Sequence, residues 1–234
     1  MDRVLYAKYN SMRRPEYRLT TEIHEDETGK WVEKRAGDPV ARPHMERIAA
    51  NRDLAVRAYR EITVLDVKRE KGCLVFPFVS GTTLSNRIDT EPFDKNCFIK
   101  QINSLFDRVL AVRDECRSSF KATEEFVSIF GDRYMEGVPA VCPANIDSLF
   151  SNFIETEDEL ICLDYEWVYG FPVPVDYIRY RVLFHLYNEW SSSVLDGITR
   201  EAFMEWFGLN RSEQAMYWNM ESCFQQEIHG KEWA

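Results

Sequence analysis

The sequence lacks any apolar run near the roughly 18 residues a membrane-spanning helix needs. Its longest apolar stretches, such as Cys73–Val79, have the length of a core strand. It lacks a C-x-x-C pair, for Cys73, Cys97, Cys116, Cys142, Cys162 and Cys223 stand far apart, and His24, His44, His185 and His229 are scattered. No Cys/His pair has zinc-ligand spacing, which speaks against a structural zinc site. No apolar segment follows Met1-Asp2-Arg3, so no secretory signal is expected. The cysteines then read as reduced thiols of a cytoplasmic protein. Basic residues are in deficit, 29 Lys+Arg against 39 Asp+Glu, for a net charge of -10. That excludes a general nucleic-acid binder, which needs a basic surface, but leaves room for a local basic patch around a nucleotide. Internal repeats and low-complexity segments are absent.

What is present is a globular composition, with 45% hydrophobic and 14% aromatic residues in 234. That length suits one sizeable domain, or one domain built as two lobes. The first third reads as strands: Val4–Tyr9, Tyr17–Ile23 and Lys30–Ala36, in an antiparallel meander interrupted by Ser11–Pro15 and the polar turn His24–Gly29. Pro43 suits a first helical turn, with Met45, Ile48 and Ala49 at helical spacing, and Asp53–Glu61 continues in the same vein. Thr63–Val67 and Gly72–Phe78 read as a strand pair across the charged turn Lys68–Lys71, and Thr82-Thr83-Leu84 as the start of another helix. Lys95 to Cys116 carries Phe98, Ile102, Leu105, Phe106 and Val109 on one helical face. Pro139–Ile146 is extended, and Phe153–Ile154 with Leu160–Leu163 forms a short hairpin. From Val175 on, the chain is mostly helical. Gly81 divides a strand-rich part, 1–80, from a helical part, 81–234.

The chemistry concentrates in Asn145-Ile-Asp-Ser-Leu-Phe-Ser-Asn152 and Ile161-Cys-Leu-Asp-Tyr-Glu-Trp167. Asp and Asn are also ordinary turn residues; the downstream Asp164 lifts Asp147 and Asn152 above that reading. An Asp, an Asn five positions on, and an apolar hairpin ending in Asp are what a phosphotransferase requires. One Asp orients or deprotonates the acceptor hydroxyl, while the Asn and the second Asp hold Mg²⁺ against nucleotide phosphates.

These segments resemble the protein-kinase-like superfamily, within it the branch of aminoglycoside phosphotransferases and choline kinases. Asn145-Ile146-Asp147 with Asn152 is similar to that branch's H-x-D-x-x-x-x-N, with Asn145 in place of the histidine. Leu163-Asp164-Tyr165-Glu166 resembles its I-D-[FWY]-E, and Asp176 lies where the branch often carries an Asp that braces the catalytic loop. Leu74–Leu84 resembles the strand, hinge and Gly-x-x-Leu that follow an adenine pocket. The segments Asn145–Asn152, Asp164–Trp167 and Phe171–Pro174 also resemble kinase-like domains found beside enzymes of bacterial surface-polysaccharide (O-antigen) assembly.

The resemblance implies a bilobal α+β fold, a small antiparallel-sheet lobe and a mainly helical large one, with ATP and Mg²⁺ between them. It implies Lys34 as the phosphate lysine, with Lys30 the fallback, and Glu46 as its helix partner, with Glu61 the rival. Asn152 and Asp164 are implied as metal ligands, and Asp147 as the residue that acts on the acceptor hydroxyl. Ser11–Pro15 stands where a glycine-rich phosphate loop is expected, so Arg13 and Arg14 meet phosphates by charge or belong to a solvated turn. Pro77 has no N–H to give adenine, which leaves a neighbouring amide such as that of Phe78. The short span from Asp164 to Asp176 favours a small-molecule or glycan acceptor over a protein, with a polysaccharide-assembly enzyme as a further partner. Two rivals stand: a pseudokinase serving as a docking module, and a helical interaction protein that binds no nucleotide.

Overall fold

The computed structural model describes residues 2–132 and 136–230. Strand β1 (Arg3–Tyr9), β2 (Leu19–Asp26) and β3 (Gly29–Ala36) form the meander. Helix α1 (Arg42–Ala58) follows as one continuous helix. Its buried residues His44, Ile48, Asn51, Ala55 and Ala58 recur at three and four positions, the stripe a helix presents to a core. Next come β4 (Thr63–Val64), β5 (Lys68–Glu70), β6 (Cys73–Pro77) and β7 (Thr82–Thr83). The main sheet is five-stranded, in the order β1-β2-β3-β6-β5, and every pairing in it is antiparallel.

The predicted pairing of Thr63–Val67 with Gly72–Phe78 is not formed. The partner of β6 is β5, which lies inside the predicted charged turn, and the turn shrinks to Lys71–Gly72. Gly72 allows this, since its φ of +83° is open to glycine and costly for other residues. The freed β4 runs parallel to a strand of the downstream hairpin. Thr82-Thr83-Leu84 does not open a helix either; Thr82 and Thr83 are drawn into the same small sheet, and only a single 3₁₀ turn, Ser85–Arg87, follows.

Helix α2 (Lys95–Val109) is capped by the Asp94 carboxylate, which accepts from the Cys97 amide at 2.7 Å. It stops seven residues short of the predicted Cys116 (116 less 109) because the chain turns back to bond α1, Arg113 N–H donating to Ala58 O at 2.9 Å. Strand β8 (Arg117–Ser119), α3 (Glu124–Phe130), β9 (Pro139–Val141) and β10 (Ala144–Asn145) lead into the loop of interest. The hairpin β11 (Phe153–Glu155) and β12 (Leu160–Cys162) forms as predicted, and its sheet has the order β4-β12-β11-β7. Strands β13 (Val168–Tyr169) and β14 (Val173–Pro174) precede α4 (Val175–Trp190), α5 (Arg200–Glu205) and α6 (Arg211–His229). Helix α6 opens on a reciprocal cap between Asn210 and Glu213. The chain is thus mixed α+β, with an antiparallel sheet first and helices dominating after. One contiguous apolar core runs from Leu19 and Phe76 through Phe153 and Tyr165 to Phe224.

Candidate functional site

A cleft of about 600 Å³ lies where the main sheet faces the hairpin. Ile23, Val32 and Phe76 give it an apolar roof, Ile154 and Leu163 its floor, and Pro77–Gly81 its closed edge. The alternation of a strand explains the roof: Val32 and Lys34 share one face of β3, and Val32 lies opposite both Ile23 and Phe76. Gly81 is held tightly here, since a Cβ on it would come within 2.5 Å of Ile154 Cγ2 and 2.7 Å of Glu155 O. Phe78 lines this edge and is partly exposed, with Lys30 Nζ 5.5 Å from its ring centre. Lys30 sits on the outer rim beside Glu25, whereas Lys34 points inward.

At the inner end, Lys34, Asn152 and Asp164 line this cleft and also an adjoining cavity of about 550 Å³ that holds Asp147, Arg13 and Arg181. Lys34 is buried, and its Nζ donates to both oxygens of Asp164 at 3.0 Å. Burial works against its charge, but the Asp164 and Glu166 carboxylates outweigh that and hold its pKa above the ordinary value. The Asp164 carboxylate also accepts from the Glu166 amide at 3.1 Å.

The loop from Asn145 to Asn152 is braced by its own side chains. Buried Asn145 accepts from the Asp147 amide at 3.0 Å, and donates to Asp164 O at 3.1 Å and Tyr59 Oη at 3.2 Å. It therefore ties the loop to the segment that carries Asp164. Asn152 Nδ2 donates to Asp147 O at 2.9 Å, which commits its amide nitrogen and leaves its oxygen as a donor toward a cation. Asn152 oxygen and the Asp164 carboxylate are hard ligands of the kind Mg²⁺ takes together with substrate phosphates. Among the described residues no group of three or more His, Cys, Asp or Glu gathers as a metal cage. Burial raises the Asp147 pKa to about 7; Arg181 opposes the rise, and Asp164 and Glu166 reinforce it.

Not every expected residue arrives. Glu46 is exposed on α1, on the side away from buried His44, Met45 and Ile48. Helical periodicity gives the inward position to His44, so Glu46 does not reach Lys34, whose counter-charge is Asp164. Glu61 is likewise solvent-facing, beside Arg60. Arg13 does reach the cavity, but its guanidinium donates to Glu166 Oε1 at 2.5 Å. Arg14 turns outward to Glu16 and Glu227, and its amide donates to Ile228 O at 2.8 Å. That pins the β1–β2 loop to the end of α6. Asp176 pairs with Arg179 one turn along α4 at 2.8 Å, and no hydrogen bond joins it to the loop among the described residues.

Two further groups complete the site: Glu166, which the sequence places in the I-D-[FWY]-E-like segment as a structural or acceptor-side residue, and one that sequence reasoning missed. Glu166 is buried and accepts from Arg13 and from His44 Nε2, the latter at 2.8 Å. Burial pushes its pKa up, but His44, Arg13 and Lys34 prevail and bring it to about 2. Asn51 Nδ2 clamps the same turn by donating to Tyr165 O and Glu166 O at 3.1 and 2.8 Å. His44, Asn51 and Glu166 thus do the work of joining α1 to the Asp164 segment. The second group is Arg181, whose position on an otherwise apolar face of α4 was the available signal.

No protein-family model matches the chain, and no curated protein sequence matches it. Among solved structures, a choline/ethanolamine kinase family protein from Mesorhizobium loti is similar at 12% identity and a TM-score of 0.38, covering 88% of this chain and 74% of its own. A macrolide 2'-phosphotransferase from Brachybacterium faecium is similar at 13% identity and 0.39, with 92% and 82% covered. An ethanolamine kinase from Plasmodium vivax stands at 12% and 0.34, with 94% and 72% covered.

Proposed function

We propose that this chain is a phosphotransferase of the protein-kinase-like fold that moves the γ-phosphoryl group of ATP to a hydroxyl of a small molecule or glycan. The observation that carries this reading is convergence. Lys34 from β3, Asp147 and Asn152 from one loop, and Asp164 from the end of β12 meet at the junction of an apolar cleft and a polar cavity. The apolar cleft suits a purine, bounded by the linker Pro77–Gly81 where residues 1–80 hand over to 81–234. Lys34 supplies a cation for phosphates, and Asn152 and Asp164 supply oxygens for Mg²⁺, which when bound neutralises and orients them. Asp147 holds and deprotonates the acceptor hydroxyl. Positioning and charge neutralisation supply most of the rate. Arg13 stands at the phosphate end as a charge-based substitute for glycine-loop amides, released from Glu166 as the nucleotide enters. A glycan acceptor, and a partnership with a polysaccharide-assembly enzyme, rest on the short segments Asn145–Asn152, Asp164–Trp167 and Phe171–Pro174.

A second reading, a pseudokinase docking module, is favoured by one observation: the cations that phosphates require are already spent, Lys34 on Asp164 and Arg13 on Glu166. Calorimetric titration with ATP, with and without Mg²⁺, separates the two. Binding that needs Mg²⁺ and is lost in Asp164→Ala is the expected result. No binding to the wild type overturns the phosphotransferase reading and leaves the docking module.

A further inference from the structure

Helix α4 buries an arginine among Tyr177, Ile178 and Val182, where burial of a guanidinium costs several kcal/mol unless it is paired. Arg181 is 3% exposed and lies between two carboxylates. Its Nη2 donates to Asp147 Oδ1 at 3.1 Å, and its Nη1 stands 3.2 Å from Glu221 Oε2 on α6. Glu221 is itself fixed, accepting from Tyr177 Oη at 2.9 Å and from Gln225 Nε2 at 2.7 Å. The Phe224 ring closes over the guanidinium, its centre 4.6 Å away.

The partner carboxylate is otherwise held only by its backbone. Asn145 and Asn152 fix the amide and carbonyl of Asp147, and neither touches its carboxylate. Around that carboxylate stand Asp164, Glu166 and Arg13, with Tyr169 and Cys162 from the adjoining strands. On the α4 and α6 side stand Arg181, Tyr177, His185 and Glu221. The two nearby carboxylates repel it, and among the described residues Arg181 is the one cation bonded to it. With Oδ1 taken by Arg181, Oδ2 accepts no hydrogen bond among the described residues, and Asp147 lines the cavity.

We propose that Arg181 is the positioning residue for Asp147, locking one carboxylate oxygen so that the other is presented to the acceptor hydroxyl, with Glu221 as its anchor on α6. This rests on the phosphotransferase reading. It also explains why the expected brace, Asp176, is turned elsewhere: the loop is steadied from α4 one turn and a half further along, by a residue of opposite charge.

The test uses the whole chain, MgATP as the probe and water as the acceptor, with ADP formation as the readout. R181M should leave the Kd for MgATP unchanged and lower kcat ~100-fold, the scale of a misplaced catalytic group. R181K should recover part of that loss but stay below wild type, since an ammonium cannot span two carboxylates as a planar fork does. On a D147N background R181M should cost nothing further, because both changes act through one carboxylate. Wild-type kcat in R181M, or an equal fall on both backgrounds, overturns the proposal. If R181M gives no cooperative unfolding transition, R181K decides, and wild-type kcat in R181K overturns it. A crystal structure of the R181M–MgATP complex decides independently of turnover: Asp147 rotated from its present position supports the role, and Asp147 in place overturns it. Absence of MgATP binding to the wild type is a different failure, that of the phosphotransferase reading itself.

Discussion

Glu166 shows how a single buried carboxylate is afforded in this fold. It sits 6% exposed at its side chain, between a histidine and an arginine, and its pKa falls to about 2. Its ordinary value is 4.5. A lowered carboxylate pKa stabilises the fold in full above the unfolded value, and the contribution drains as pH falls toward the folded one. Glu166→Gln is therefore expected to cost ~3 kcal/mol at pH 7 in urea unfolding, as for a broken buried pair. The gap between the two proteins should narrow as pH drops from 4.5 to 2. Asp147 runs the other way, raised to about 7 by burial. Below that value it is protonated and cannot accept the hydroxyl proton, so turnover should rise with pH through about 7 and then level. Asp147→Asn should turn over ~10²–10⁴-fold more slowly than wild type, with no dependence on pH across this range, while retaining MgATP binding. A wild-type rate that stays flat across this range would remove Asp147 from the role of base.

At the scale of elements, periodic segments were legible and register was not. Met45, Ile48 and Ala49 at helical spacing mark α1, although the buried stripe also takes in His44, Asn51 and Ala55, and the run Lys30–Ala36 marks β3. The pairing of β6 was misread because β4 and β5 are only 2 and 3 residues long. Segments so short have no periodicity to read, and their partners come from the far hairpin and from the Gly72 turn. Thr82 and Thr83 likewise become strand because Ile154 and Glu155 offer them ladder partners. Gly81 permits this pairing by packing its backbone directly against Ile154 and Glu155. Gly81→Ala must push aside Ile154 and the Glu155 carbonyl, an overpacking expected to cost ~1–3 kcal/mol in thermal or urea unfolding. The same shift narrows the cleft edge, so MgATP affinity should fall in parallel; unchanged stability and affinity together would show that this contact has room to give.

Across the whole molecule, one core joins the sheet to the helices, and the β1–β2 loop is tied to the far end of the chain. Tyr17 Oη donates to Glu227 at 2.5 Å, and Met12 O lies 3.1 Å from His229 Nδ1. A core shared in this way should unfold in a single calorimetric transition. MgATP at 100 times its Kd should stabilise the fold by ~2.7 kcal/mol, or about 5–10 °C for a chain of this size. Two resolved transitions, only one of them moved by nucleotide, would mean that the sheet and the helices melt as separate units.

The sequence by itself determined the antiparallel meander, the main helices, the hairpin and the order in which Lys34, Asp147, Asn152 and Asp164 come along the chain. Those features rest on local periodicity and turn chemistry, which act between near neighbours. Only the tertiary structure decided which charges meet. The resemblance implied Glu46 for Lys34, yet the face of α1 that packs inward carries His44, and Lys34 takes Asp164, 130 positions away. Arg181 and Asp147 are 34 apart, and Arg13 and Glu166 are 153 apart. Partnerships of that kind are fixed by how helices and strands pack in three dimensions, where the cost of burying a lone charge selects the neighbour that can neutralise it.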